Sequence, residues 1–234
     1  MKLRLINYLW LSGNEIRDKE VLDSINFNIE SNLFDEILIF TEQTSKLDIK
    51  IQRNVTLTNI TLRPTFQYLF DYVNAFPQNN YVNILSNSDI LFNESILLAK
   101  NMDSNDFYCI TRHELDGNLF SDSRIDDSKF KASQDVWIWK GDCKLYDCDF
   151  YLGFPGCDNA LACKAKHIGY KVKNPCLSIK VTHNHKSDIR SGDSNLSNYK
   201  NHLNIIFLIS PTHLDEPTYC AYYNEPSKEY YILD

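Results

Sequence analysis

An α/β fold with a mainly parallel central sheet and flanking helices is predicted by two features of the sequence. From Leu3 to Phe92, short apolar runs alternate with stretches of helical period, the pattern of successive βαβ units. A polar knot, Ser86-Asn87-Ser88-Asp89, separates two of those runs. It therefore stands at a strand end, where open α/β sheets bind their ligands. The N-terminal half reads as Rossmann-like.

Leu3 to Leu11 opens the chain as a buried strand. A helix follows, with Asn14 as its N-cap and Val21, Leu22, Ile25 and Ile29 on one face. Phe34 to Phe40 is the second strand, and the β-branched run Val55 to Leu62 the third. Arg63-Pro64 then turns into a helix, with proline at the first helical position and Phe66, Leu69, Phe70 and Val73 as its inner stripe. Tyr81 to Leu85 is the fourth strand. It leads through the polar knot to Ile90-Leu91-Phe92 and a helix from about Asn93.

Beyond Asn101 the pattern changes. Phe107 to Arg112 and Val136 to Trp139 read as strands, with a polar loop from Asp116 to Ser133 between them. Phe154-Pro155-Gly156-Cys157-Asp158 is a turn opening a helix that carries Leu161, Ala165 and Ile168 inward and stops at Gly169. Tyr170 to Val172 and Leu177 to Val181 are read as strands leading to His183-Asn184-His185, and Leu203 to Ile209 as a further apolar segment. No role is assigned to the tyrosine-rich stretch after Pro211.

The 234 residues suit one domain, and an aromatic share of 13% points to a well-ordered chain. A net charge of -7 argues against a nucleic-acid partner, which calls for a basic face. No apolar stretch is long enough for a membrane-spanning helix, and Asn7 interrupts the apolar start, so a signal segment is not expected. The odd number of cysteines, 7, without a C-x-x-C pair reads as reduced structural thiols in a cytoplasmic, soluble protein.

Several residues carry chemistry in this pattern, each beside a plainer reading. Asp89 offers a hard carboxylate ligand for a divalent cation, or closes an Asx-turn. Asp158 serves as a general base or caps its helix. Asp135 orients a sugar hydroxyl or is a solvated turn residue. His183 and His185, two apart in an extended segment, project to one side and suit a cation or phosphate. Lys186 and Arg190 supply charge for phosphate oxygens or form a basic loop. Arg17 and Arg63 follow strands at the edge that holds Asp89 and meet a diphosphate or surface carboxylates. Trp10 packs in the core or stacks on a base.

Six motifs occur in order: Asn7 with Leu11-Ser12-Gly13-Asn14-Glu15-Ile16-Arg17, then Arg63-Pro64-Thr65, Asn87-Ser88-Asp89-Ile90, Ser133-Gln134-Asp135-Val136-Trp137, Gly153-Phe154-Pro155-Gly156-Cys157-Asp158-Asn159 and His183-Asn184-His185-Lys186-Ser187. Taken together they resemble small glycosyltransferase-A-like proteins of bacteria and large DNA viruses. The resemblance implies a glycosyltransferase-A-like fold, a nucleotide-diphospho-sugar donor, a glycan or other hydroxyl acceptor, and Mn2+ or Mg2+ near the aspartate motif. On this reading Asp89 matches the last carboxylate of the D-x-D signature, with His183 and His185 supplying the distal ligand. Asn87, a neutral amide, departs from the first carboxylate. Asn7, Trp10, Asn14 and Arg17 would face the donor from the first βα unit, and Arg63, Thr65, Asn87 and Lys186 from later ones. Asp158 is the implied base, and Asp135 is counted with it as a catalytic candidate. Residues 1-101 would form the donor-binding half, 102-210 the acceptor half and 211-234 a tail. A non-catalytic nucleotide-sugar or glycan-binding module is the alternative, and metal-dependent phosphoester hydrolysis a third reading.

Overall fold

The computed structural model describes residues 1–43, 47–77, 80–121, 129–154, 156–187, 205–224, 227 and 229–233. Pro155, Arg190, the middle of the charged loop and the start of the Leu203 to Ile209 segment lie outside them.

A seven-stranded sheet forms the centre. Four parallel strands make one side: β1 (Lys2–Leu9), β2 (Glu36–Thr41), β3 (Val55–Asn59) and β4 (Tyr81–Ser86). After β5 (Ile90–Phe92), the chain adds β6 (Asp106–Ile110), β7 (Val136–Lys140) and, later, β8 (Lys171–Lys173). The order is β3-β2-β1-β4-β7-β6-β8, and β7 alone runs antiparallel to its neighbours in this sheet. The prediction of a mainly parallel sheet flanked by helices therefore holds.

Burial on both faces explains the composition of the central strands, since parallel strands covered twice read as continuous apolar runs. In β7, Trp137 and Trp139 face one core with Phe66 and Phe70, while Val136 and Ile138 face the other with Ile25 and Ile29. Asn7 is the polar exception in β1. It lies opposite Ser86 of β4, and its Nδ2 donates to the Ser86 carbonyl at 3.1 Å and to Ser86 Oγ at 2.8 Å.

Helix α1 (Glu15–Glu30) covers one face, with Asn14 capping it as expected. Helices α2 (Phe66–Asn74) and α3 (Cys157–His167) cover the other. The α2 stripe is buried at all four predicted positions. Pro64 is not the first helical residue, however. Thr65 is the N-cap, its Oγ1 accepting from the Tyr68 N–H at 3.1 Å, so proline stands one place outside. Thr65→Ala removes that acceptor and should cost about 1 kcal/mol. Thermal unfolding should show this as a drop of roughly 2–4 °C.

Two other elements differ from expectation. The segment after Asn93 is a 3-10 helix, Glu94–Asn101, not an α-helix. Leu177 to Val181 is not a strand, because the Pro175 carbonyl accepts from both Ser178 and Ile179 N–H groups and winds the chain into a turn. The strand comes later, as β9 (Val181–His183), which pairs antiparallel with β5. The tail contributes strands. Strand β10 (Ile205–Ile209) pairs with β11 (Cys220–Asn224) and β11 with β12 (Glu229–Leu233), a small antiparallel sheet whose pairing runs across residue 210. Its Phe207, Ile209 and Cys220 join the core that holds α3.

Candidate functional site

The carboxyl ends of β1, β4 and β6 point to one edge of the sheet, and reversed β7 begins there. The residues just after β4 and just before β7 are thereby neighbours. The Asn87 N–H donates to the Asp135 carbonyl at 3.0 Å, and its side-chain amide to Asp135 Oδ1 at 2.8 Å. With its NH2 group so engaged, Asn87 turns its carbonyl oxygen away from Asp135. Ser88 Oγ donates to the Tyr8 carbonyl, which joins the knot to β1.

Asp89 is 7% exposed and lies under both histidines. Its Oδ2 accepts from Arg17 Nη2 and lies 3.1 Å from His183 Nε2. The Asn184 N–H donates to the Asp89 carbonyl at 2.8 Å, pinning the segment after β9 to the knot. The His183 and His185 ring centroids are 5.1 Å apart. One ligand atom from each of Asp89, His183 and His185 falls within 4.8 Å of the others.

Charge in this cluster is tightly paired. Burial alone would raise the Asp89 carboxyl, but hydrogen bonding and charge from His183, with the Arg17 guanidinium, hold it well below the usual range. Burial would likewise lower His183, yet Asp89 raises it overall. His185 is lowered by burial and by the positive charges of Arg17 and His183.

This cluster fits a divalent cation. Asp89 Oδ1 is buried with no hydrogen-bond partner among the described residues, leaving an acceptor open beside two imidazoles. One carboxylate with two imidazoles suits Mn2+ better than Mg2+, which favours an all-oxygen shell.

Asp158 occupies a second cluster. Gly156, with φ of 87°, is the residue before α3, so Asp158 lies inside the first turn and is not itself the N-cap. Its carboxylate accepts from the Asn159 N–H at 3.0 Å and the Gln134 N–H at 3.2 Å, which sets it beside Asp135. Burial lifts its pKa to about 6, the Asp135 charge adds to the rise, and the two N–H bonds oppose it. Asp135 itself accepts from Arg112 Nη1 at 3.1 and 3.0 Å.

Of the other predicted residues, Arg17 is brought to Asp89, and Lys186 lies exposed next to the histidines with its N–H on Glu20. Asn14 Oδ1 caps α1, accepting from Ile16 and Arg17 N–H groups. Trp10 is 41% exposed just past β1, so it is not a core residue. Arg63 stands apart with Thr65. It donates to the Leu152 carbonyl, lies over the Tyr8 and Phe154 rings at 5.6 and 4.4 Å, and makes no ion pair among the described residues.

Three residues at this edge were not anticipated. Glu20 pairs with Arg17 at 3.2 Å and accepts from the Lys186 and Ser187 N–H groups at 2.8 Å each. Arg112 and Glu114 pair at 3.0 Å, and Glu114 Oε2 lies 3.4 Å from His183 Nδ1. Helical spacing of Arg17 and Glu20, and the two-residue spacing of Arg112 and Glu114, are the signals that place each pair on one side.

No family model matches the chain, and no curated protein matches it. Among solved structures, the inositol-1-phosphate CTP transferase from T. maritima is similar over 82% of this chain and 92% of that one, with 12% identity and a TM-score of 0.47. The mannose-6-phosphate isomerase from Helicobacter pylori is similar over 60% of this chain at 16% identity, TM-score 0.39, and S. aureus TarS over 60% at 14%, TM-score 0.35. The chain spans 61% and 28% of those two. Similarity at this level does not define a family.

Proposed function

We propose that this chain is a glycosyltransferase of the glycosyltransferase-A type, which moves a sugar from a nucleotide-diphosphate-sugar donor to an acceptor hydroxyl. The observation that carries the reading is the Asp89, His183 and His185 cluster at the carboxyl edge of the sheet, with a buried carboxylate oxygen left open. A second carboxylate, Asp158, with a pKa raised to about 6, lies at the same edge.

Asp89, His183 and His185 would hold a divalent cation, Mn2+ before Mg2+, which when bound supplies Lewis-acid neutralisation of the leaving diphosphate. The chain's own groups do the rest. Arg17 and the exposed Lys186 bring positive charge to diphosphate oxygens. Asn87, its amide fixed by Asp135, presents a neutral oxygen to the donor. Asp158 accepts the proton of the attacking hydroxyl, and Asp135 beside it orients the sugar. Arg63, between Tyr8 and Phe154, meets the nucleotide from the β3–α2 side. On this reading residues 1-101 form the donor half and 102-210 the acceptor half, in a soluble cytoplasmic enzyme. No helix among the described residues is long and apolar enough to cross a membrane.

A panel of UDP-, GDP- and dTDP-sugars with and without Mn2+, followed by thermal shift and donor turnover, tests this. At a hundredfold excess over Kd, the right donor adds about 2.7 kcal/mol, roughly 5–10 °C for a chain of this size. If no donor with Mn2+ shifts the melt or is turned over, the proposal fails. Binding without turnover would instead support a non-catalytic nucleotide-sugar module. Two features favour that second reading: Asn87 replaces a carboxylate, and Arg17 already neutralises Asp89.

A further inference from the structure

We propose that Glu114 is a positioning residue that fixes the tautomer and ring orientation of His183 for cation binding, an inference that rests on the cation-dependent reading above. His183 has a carboxylate on each side. Its Nε2 faces Asp89 Oδ2 at 3.1 Å, and its Nδ1 faces Glu114 Oε2 at 3.4 Å. An imidazole binds a cation through the nitrogen that carries no proton, and the hydrogen bond made by the other nitrogen decides which one that is. Without a cation both nitrogens face carboxylates; a bound cation would take the place of the Nε2 proton, and Glu114 would keep the remaining proton on Nδ1.

Glu114 is itself held on three sides. Its Oε1 accepts from Arg112 Nε at 3.0 Å, and Arg112 is locked by both Asp135 oxygens and by stacking on Phe120 at 3.9 Å. The turn that carries Glu114 is closed by its N–H on the Asn118 carbonyl and by the Gly117 N–H on its own carbonyl, at 2.8 and 2.9 Å. The backbones are tied as well, since the His183 N–H donates to the His113 carbonyl at 2.9 Å. One guanidinium, Arg112, thus sets two things at once. Through Glu114 it orients the imidazole of His183, and through Asp135 it orients the amide of Asn87.

Titrating Mn2+ alone into the full chain, with free ion followed by electron paramagnetic resonance, tests this without any turnover measurement. Glu114→Ala should raise the Mn2+ Kd by about 10–100-fold, the usual effect of losing such a partner. Glu114→Gln keeps an oxygen that accepts from Nδ1 and should recover part of the loss, which a merely structural role would not predict. Glu114→Ala binding within about twofold of wild type, or Glu114→Gln as weak as Glu114→Ala, overturns the role of Glu114 while leaving the cation reading intact. A wild-type chain that binds no Mn2+ overturns both.

Discussion

Asp89→Asn is expected to abolish Mn2+ binding and to lower donor turnover by about 10²–10³-fold, the range for losing one preorganised electrostatic group at a transition state. The substitution keeps the shape of the side chain but removes the one carboxylate in the Asp89, His183 and His185 cluster. It also removes the charge that raises His183 and pairs with Arg17. Arg17, still held by Glu20, would then face the knot without its second partner. Breaking one side of a buried ion pair costs about 3–5 kcal/mol, so stability must be measured beside activity. A melt within reach of wild type together with lost Mn2+ binding assigns the defect to the cation. Full turnover in Asp89→Asn would remove the centre of the mechanism.

Asp158→Asn should behave in the opposite sense on stability. In the proposed role of proton acceptor Asp158 must be ionised, so wild-type kcat/KM should fall about tenfold for each pH unit below its pKa of about 6. The variant should lose about 10²–10⁴-fold in kcat, and with it the inflection near pH 6. Because burial raises the folded-state pKa above the ordinary 3.8, the group is most comfortable protonated. Its contribution to stability is complete below the unfolded pKa and is lost as pH rises through about 6. At neutral pH the wild type therefore carries an uncomfortable charge, and replacing it with a neutral amide should stabilise the fold by about 1–3 kcal/mol. Gain of stability with loss of activity is the signature of a residue kept for chemistry. Unchanged activity with an unchanged pH profile would exclude Asp158 as the base.

The central strands are legible because they are apolar on both faces, and the α1 and α2 stripes because their period is regular. Asn14 caps α1 as its type and position predict, whereas at α2 the proline signal of Pro64 masks the cap, which is Thr65. Leu177 to Val181 misled for a physical reason: apolar residues in a core-facing turn look the same as a short buried strand until the carbonyl of Pro175 is seen to close the turn. At the site, Asp89 followed from its place at the end of an apolar run, and the two histidines from their spacing. Glu20, Arg112 and Glu114 did not, because their importance comes from partners distant in the chain. Glu20 meets Ser187 and Glu114 meets His183 only after the sheet has formed.

That same distance governs when the site comes into being. Asp89 is separated by 72 residues from Arg17 and by 94 from His183, and Asn87 by 48 from Asp135. Contacts of such long sequence separation carry a large loop-closure cost and form slowly. The edge where the carboxylates and imidazoles converge cannot be complete until β1, β4 and β7 have paired. A ligand that recognises only this finished constellation has nothing to grip on the way up the folding barrier. It acts by slowing escape from the folded state, so its protection is felt as a longer native lifetime and not as faster folding.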